Sequence, residues 1–152
     1  MYFAFVALTM FVLPLASIAG AHVLHPEAAL VDLTGRWFVF WGAGVRLGVA
    51  GLRQYFQPSF TAQNVFGLEG NAAWPLVREL GVANFATGLV GGLSLFRADF
   101  VLPVAIAAGL FYGVAGARHA MQEHRSRHET IAMVSDVFLF VVLAVFVLAS
   151  FR

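Results

Sequence analysis

The chain has 152 residues, 61% hydrophobic and 11% charged, with a net charge of +1. Soluble domains carry about a quarter charged residues, so this composition excludes an ordinary soluble fold, and so small a charge with no basic run excludes nucleic acid as a partner. With no cysteine, and with Arg at all nine basic positions, thiolate nucleophiles, iron–sulfur clusters, cysteine-ligated zinc, Schiff-base lysines and P-loop chemistry are excluded too.

Five apolar stretches of membrane-spanning length follow one another, at 2–24, 37–56, 74–96, 100–121 and 130–151. At about 20 residues per crossing they use nearly the whole chain, so the expectation is one all-α integral membrane domain over 1–152. The first stretch ends in Ala19-Gly20-Ala21, which looks like a secretory cleavage site. No positive charge precedes the apolar run, however, so a retained first helix is expected, kinked at Pro14.

Residues 25–35, with Pro26, Glu27 and Asp32, read as a short polar connection, and Thr34 as a cap for the second helix. That helix opens with Trp37 and Trp41, aromatics suited to a membrane surface, and stops before Pro58. The connection 58–73 mixes Phe60, Val65, Phe66 and Leu68 with polar residues and is expected along the interface, as a lid or partner-binding loop. Asn71 and Pro75 mark the third helix start, with Glu79 near its positive end. Arg97-Ala98-Asp99 is a tight turn that makes helices three and four an antiparallel hairpin. The loop Gln-Glu-His-Arg-Ser-Arg-His at 122–128 leads into helix five.

Arginine placement orients the chain. One side receives Arg53, Arg78, Arg118, Arg125 and Arg127, and the other Arg36, Arg97 and Arg152. The bias places the N-terminus in the cytoplasm and the C-terminus outside, in a bacterial inner (plasma) membrane. Gly44 and Gly48, Gly88 and Gly92, and the ridge Ala105, Gly109, Gly113 and Ala117 are small residues spaced for close helix contact. They suit packing within the chain or a homo-oligomer interface.

The polar residues inside these stretches fall at one depth. Arg46 and Asp136 each lie about 10 Å in from the cytoplasmic helix ends at 1.5 Å per residue, with Asn84 and Tyr112 level with them. An unpaired charge at mid-membrane costs about 2.5–3.5 kcal/mol on insertion scales, so an Arg46–Asp136 ion pair is expected, hydrogen-bonded to Asn84 or Tyr112. Nearer the cytoplasm, Glu79, His119 and Glu129 extend this layer into a polar funnel. Its structural counterpart is a fold-locking network with water-facing ends. No Glu-x-x-His pair supports a di-metal bundle, and a single metal on Glu79, His119 and Glu129 rests on ligand type alone. No metal or cofactor is therefore predicted.

The stretches Gly44-Val-Arg-Leu-Gly-Val-Ala-Gly-Leu-Arg53, Arg78-Glu-Leu-Gly-Val-Ala-Asn84 with Thr87-Gly88, Ala117-Arg-His119, and Glu129 to Asp136 carry a resemblance. From Arg36 onward the chain resembles the DoxX-like small bacterial membrane proteins, closest to an uncharacterised family related to them. The resemblance implies a four-helix transmembrane core, to which the segment before Arg36 adds one N-terminal helix. Some members of that group are associated with quinol oxidation or membrane redox assemblies.

The functional expectation is a non-enzymatic binding or accessory protein. Its inward-facing pocket would hold a lipid-like or quinone-like molecule, with Arg46 and Asp136 as anchors, Asn84 and Tyr112 tuning the site and Glu79 at its mouth. The lipid bilayer, subunits of a larger membrane complex or further copies of the chain would be its partners. A small proton-coupled transporter or channel-like homo-oligomer using Asp136 and His119 is the alternative. A membrane enzyme with His119 or Glu79 as general base comes third.

Overall fold

The computed structural model describes residues 2–124 and 126–152, with Tyr2 described by its backbone alone. Arg125, one of the arginines weighed for orientation, lies outside them. The described residues form five helices and no strand. Helix α1 comprises Tyr2–Ala7, a π-helical Leu8–Val12 and Leu13–Leu24, and α2 comprises Leu30–Phe38, a π-helical Val39–Val45 and Arg46–Phe56. A π-helical turn, Phe60–Val65, interrupts the connection to α3 (Trp74–Leu93). After a 3₁₀ turn at Ala98–Phe100 come α4 (Val101–Ala120) and α5 (Arg127–Ser150).

Among the described residues three helices are long and apolar enough to cross a membrane: Phe3–Leu24, Ala98–Ala120 and Arg127–Ser150, with mean hydropathies of 2.1, 2.0 and 2.8. These are the dimensions of a small helical membrane protein. α2 and α3 do not meet the same description. Arg36, Arg46 and Arg53 lower the hydropathy of α2, and Arg78, Glu79 and Asn84 that of α3.

Several helix ends differ from the hydropathy reading. α2 begins at Leu30, not at residue 37, because its first turns are amphipathic: Leu33, Gly35 and Phe38 are buried while Asp32 and Arg36 face outward. Averaged hydropathy hides such a start. Thr34 is therefore inside the helix and not a cap, its hydroxyl donating to the Leu30 carbonyl at 2.7 Å. α5 begins at Arg127, not at 130, because the Ser126 hydroxyl caps it by accepting the Glu129 amide at 3.1 Å. In α1 the irregularity precedes Pro14. Proline has no amide for the Met10 carbonyl and crowds it, and the π-helical Leu8–Val12 stands where that bond is lost.

Two helix pairs make the closest contacts, α2 with α3 and α4 with α5. α2 is central, touching α1, α4 and α5 as well. Glycine makes the first pair possible. A Cβ on Gly51 would lie 2.5 Å from the Gly81 carbonyl oxygen, and one on Gly44 would lie 2.7 Å from the Gly92 amide. Part of the small ridge of α4 faces α5 within the chain, Gly109 against Leu143 and Gly113 against Phe140, and the neighbouring Gly116 lies against Val137. Trp41 donates from its indole to the Ser17 hydroxyl at 3.0 Å and fastens α1 to α2. α3 and α4, although joined by a short turn, touch far less than either touches its main partner.

Gly88→Ala drives a methyl into the Gly48 backbone, which has no side chain to swing aside. The expected loss is about 1–3 kcal/mol, read as a lower unfolding midpoint in detergent. Gly92→Ala meets nothing within 4 Å and is expected to leave the midpoint unchanged or raise it slightly. Equal losses for the two variants would contradict the glycine-packed α2–α3 contact.

Candidate functional site

Arg46 is the first residue of α2 after its π-helical stretch and is only 7% exposed. Its guanidinium donates to the Asp136 carboxylate at 2.8 Å and to the Ser135 hydroxyl at 2.9 Å, both on α5. The Ser135 hydroxyl passes its own proton to the Ala132 carbonyl at 2.9 Å. Tyr112 of α4 supplies the next partner, its ring centre 4.9 Å from the Arg46 guanidinium carbon. Salt bridge, hydroxyl and aromatic face together satisfy a cation far from water.

The π-helical geometry has a local effect. The Arg46 amide bonds to the Trp41 and Ala43 carbonyls, where an unbroken α-helix would direct it to Gly42. The Gly42 carbonyl instead accepts the Tyr112 hydroxyl at 2.7 Å. One irregular turn thus fixes the tyrosine that lies against the arginine.

Asn84 and Tyr112 both direct a hydrogen bond to α2, where the shared depth leads one to expect the ion pair. Asn84 of α3 turns to α2 and donates to the Gln54 side chain at 2.8 Å. Tyr112 meets Arg46 through its ring and α2 through its hydroxyl. His119 and Glu129 form a second buried pair, Nδ1 to carboxylate at 3.0 Å, joining the last turn of α4 to the first turn of α5. Glu79 belongs to neither group. It is exposed and does not line the cavity described below, because five residues along a helix turn it about 140° away from Asn84. Among the described residues no three His, Asp or Glu side chains are placed to hold a metal ion.

A cavity of about 670 Å³ lies against the ion pair, in the half of the protein that holds the end of α2 and the start of α5. Arg46, Asp136, Tyr112, Asn84 and His119 all reach its wall. Its remaining lining is largely apolar. Val49 on α2 and Leu110 and Val114 on α4 line it yet stay 44%, 68% and 63% exposed. The cavity therefore opens sideways, where α3 and α4 stand apart.

The connection after α2 covers the other approach. Phe60 and Phe66 line the cavity from this connection, Phe60 under the Arg53 guanidinium at 3.5 Å and Phe66 under that of Arg118 at 5.4 Å. Phe66 also stacks with His119 at 6.5 Å, and the Ser126 hydroxyl donates to the Asn64 carbonyl at 3.1 Å. Phe5 and Val6 of α1 complete the wall. Sequence reasoning places Phe60 and Phe66 in a lid-like connection but passes over Ser135, Gln54 and the α1 residues Phe5 and Val6. Ser135 stands beside Asp136 and Gln54 beside Arg53, which is the signal available for them. Nothing in the chain marks Phe5 or Val6, which act by proximity alone.

Asp136→Ala leaves Arg46 buried without a counter-charge, and the expected loss is about 3–5 kcal/mol by denaturant unfolding in detergent. Arg46→Met combined with Asp136→Leu removes both charges and is expected to recover most of that loss. A double variant as unstable as Asp136→Ala would show that the pair is not the origin of the loss.

Among curated proteins and among solved structures nothing matches this chain. A family model described as a family of unknown function (DUF6790) matches residues 3–151, so α1 is included along with everything from Arg36 onward. Joined to the apolar helices and the buried Arg46–Asp136 pair, that match makes the chain a member of the family of unknown function DUF6790.

Proposed function

We propose that this small membrane protein binds an amphiphilic, lipid-like or quinone-like molecule from the plane of the bilayer, as a non-enzymatic binding or accessory protein. The observation that carries the reading is the sideways cavity, apolar where it opens and polar at its inner wall. Pockets of about 300–1,000 Å³ with mainly apolar walls and a few convergent polar groups are the usual form of small-molecule sites. Arg46 and Asp136 compensate each other, so they offer hydrogen bonds at low net charge. Tyr112 holds Arg46 in place, Asn84 with Gln54 forms one flank, and His119 with Glu129 closes the margin nearest the connection. Glu79 takes no part in the site.

The same reading makes all five helices spans, α2 to α5 as a four-helix bundle and α1 as an added helix that completes the cavity wall. It sets the N-terminus in the cytoplasm and the C-terminus outside, in the inner membrane of a bacterium. Subunits of a larger membrane complex would bind on the lipid-facing surface. The resemblance to DoxX-like proteins supports the four-helix core and leaves the ligand open.

Native mass spectrometry of the protein released from micelles tests the binding. One apolar-tailed molecule is expected per chain, and Ala107→Trp is expected to reduce its occupancy several-fold. Ala107 lines the cavity at an exposed position, so the larger side chain obstructs the opening without crowding the core. No adduct on the wild type, or equal occupancy in the variant, would overturn the reading.

The spans are tested separately. Because the chain has no cysteine, a single one can be introduced at the exposed Glu69 or Asp99, on the connections before and after α3. An impermeant maleimide is expected to label Asp99→Cys in intact spheroplasts and Glu69→Cys only after permeabilisation. Labelling of both from one side would remove α3 as a span.

A further inference from the structure

Charge is unevenly distributed around the cavity. Arg46, Arg53 and Arg118 line it, while Asp136 is the one carboxylate among the described lining residues, and Arg46 holds it at 2.8 Å. Arg53 and Arg118 have no carboxylate within ion-pair distance among the described residues, whose ion pairs lie elsewhere. Each lies instead against a ring of the connection that covers the cavity, Phe60 and Phe66 respectively. Stacking uses the flat face of a guanidinium and leaves the N–H fork along its edge available to a planar or tetrahedral anion. Both arginines are in the last turns of their helices, where the backbone dipole favours a cation. The dipole accounts for a positive charge there. It does not account for two arginines from different helices lining one cavity and stacked on the same connection.

We propose that the bound amphiphile is anionic, its carboxylate or phosphate head group held by Arg53 and Arg118 and its chain lying along Val49, Leu110 and Val114. This assignment rests on the amphiphile reading of the cavity and adds the identity of the head group. Geometry favours it over a neutral quinone-type head: the uncompensated donors stand at the polar end of the cavity, and the exposed apolar wall leads from them to the lateral opening. Arg53 and Arg118 are themselves exposed, so the head group remains in the interface and is not dragged into hydrocarbon.

The test uses the full chain in a non-ionic detergent and probes sharing one tail: oleyl phosphate, oleate and oleyl alcohol, with decylubiquinone as a neutral ring. Affinities come from titration read by native mass spectrometry and by the heat-unfolding midpoint. Hydrogen bonds to charged groups contribute about 1.5–3 kcal/mol, so oleyl phosphate is expected to bind roughly 10- to 150-fold tighter than oleyl alcohol. Arg53→Gln with Arg118→Gln is expected to erase that ratio. Arg53→Lys with Arg118→Lys is expected to keep most of the ratio. Equal wild-type affinity for oleyl phosphate and oleyl alcohol, or a ratio that survives the double Gln variant, overturns the head-group assignment and leaves the amphiphile site standing. Inorganic phosphate displacing oleyl phosphate as effectively as oleate does would assign the arginines to a free anion and overturn the proposal. Failure of every probe to bind removes the amphiphile reading together with it.

Discussion

A guanidinium buried to 7% exposure among apolar helices constrains everything packed around it. Arg46 cannot lose its charge, so the fold must bring it a counter-ion, further acceptors and a polarizable face. Asp136, Ser135 and Tyr112 supply these from two other helices. Lipid gives helices no hydrophobic reason to associate, so a polar cluster with a single satisfying geometry does much to fix which helix meets which. The pair α2–α3 and the pair α4–α5 are each held by close packing of small residues. It is Arg46 that registers one pair against the other.

The cavity follows from the same arrangement. α2 lies against α3 at glycine contact and sends Arg46 across to α5, which leaves α3 and α4 little reason to approach. The gap between them is floored by the ion pair and Tyr112, flanked by Asn84 with Gln54, and closed at one end by Phe60 and Phe66. Packing and site are thus one feature. The interaction that joins the helix pairs is also the polar wall of the space left between them.

Much of the helical layout was legible in the chain, because runs of apolar residues in a 152-residue sequence leave few alternatives. Depth counting was informative for Arg46 and Asp136, since residues equally far from the helix ends on helices that can meet have a short path to each other. Depth alone misplaces Glu79, because direction around the helix decides which residues of one level can meet. Asn84 and Tyr112 sit at the right level but found nearer partners, Gln54 and the Gly42 carbonyl. Neither partner follows from hydropathy, and the second depends on a π-helical turn that no residue type announces. The amphipathic opening of α2 was hidden for a related reason: averaging over a window discards the difference between Leu33 and Asp32. The contribution of α1 to the cavity was invisible, as Phe5 and Val6 carry no chemical mark.

The π-helical stretch of α2 has a consequence for the phase of the whole helix. A π turn takes in an extra residue, so every side chain after Val45 is rotated by about 100° relative to an uninterrupted α-helix. Gly35 before the stretch and Gly42 within it face Phe146 and Leu139 of α5. Gly44 within the stretch and Gly51 after it face α3, while Arg46 points back to Asp136. One rod of constant phase would have to serve one set of neighbours well and the other badly. By changing phase partway along, α2, the longest of the five helices, can have four partners without a sixth helix to mediate among them.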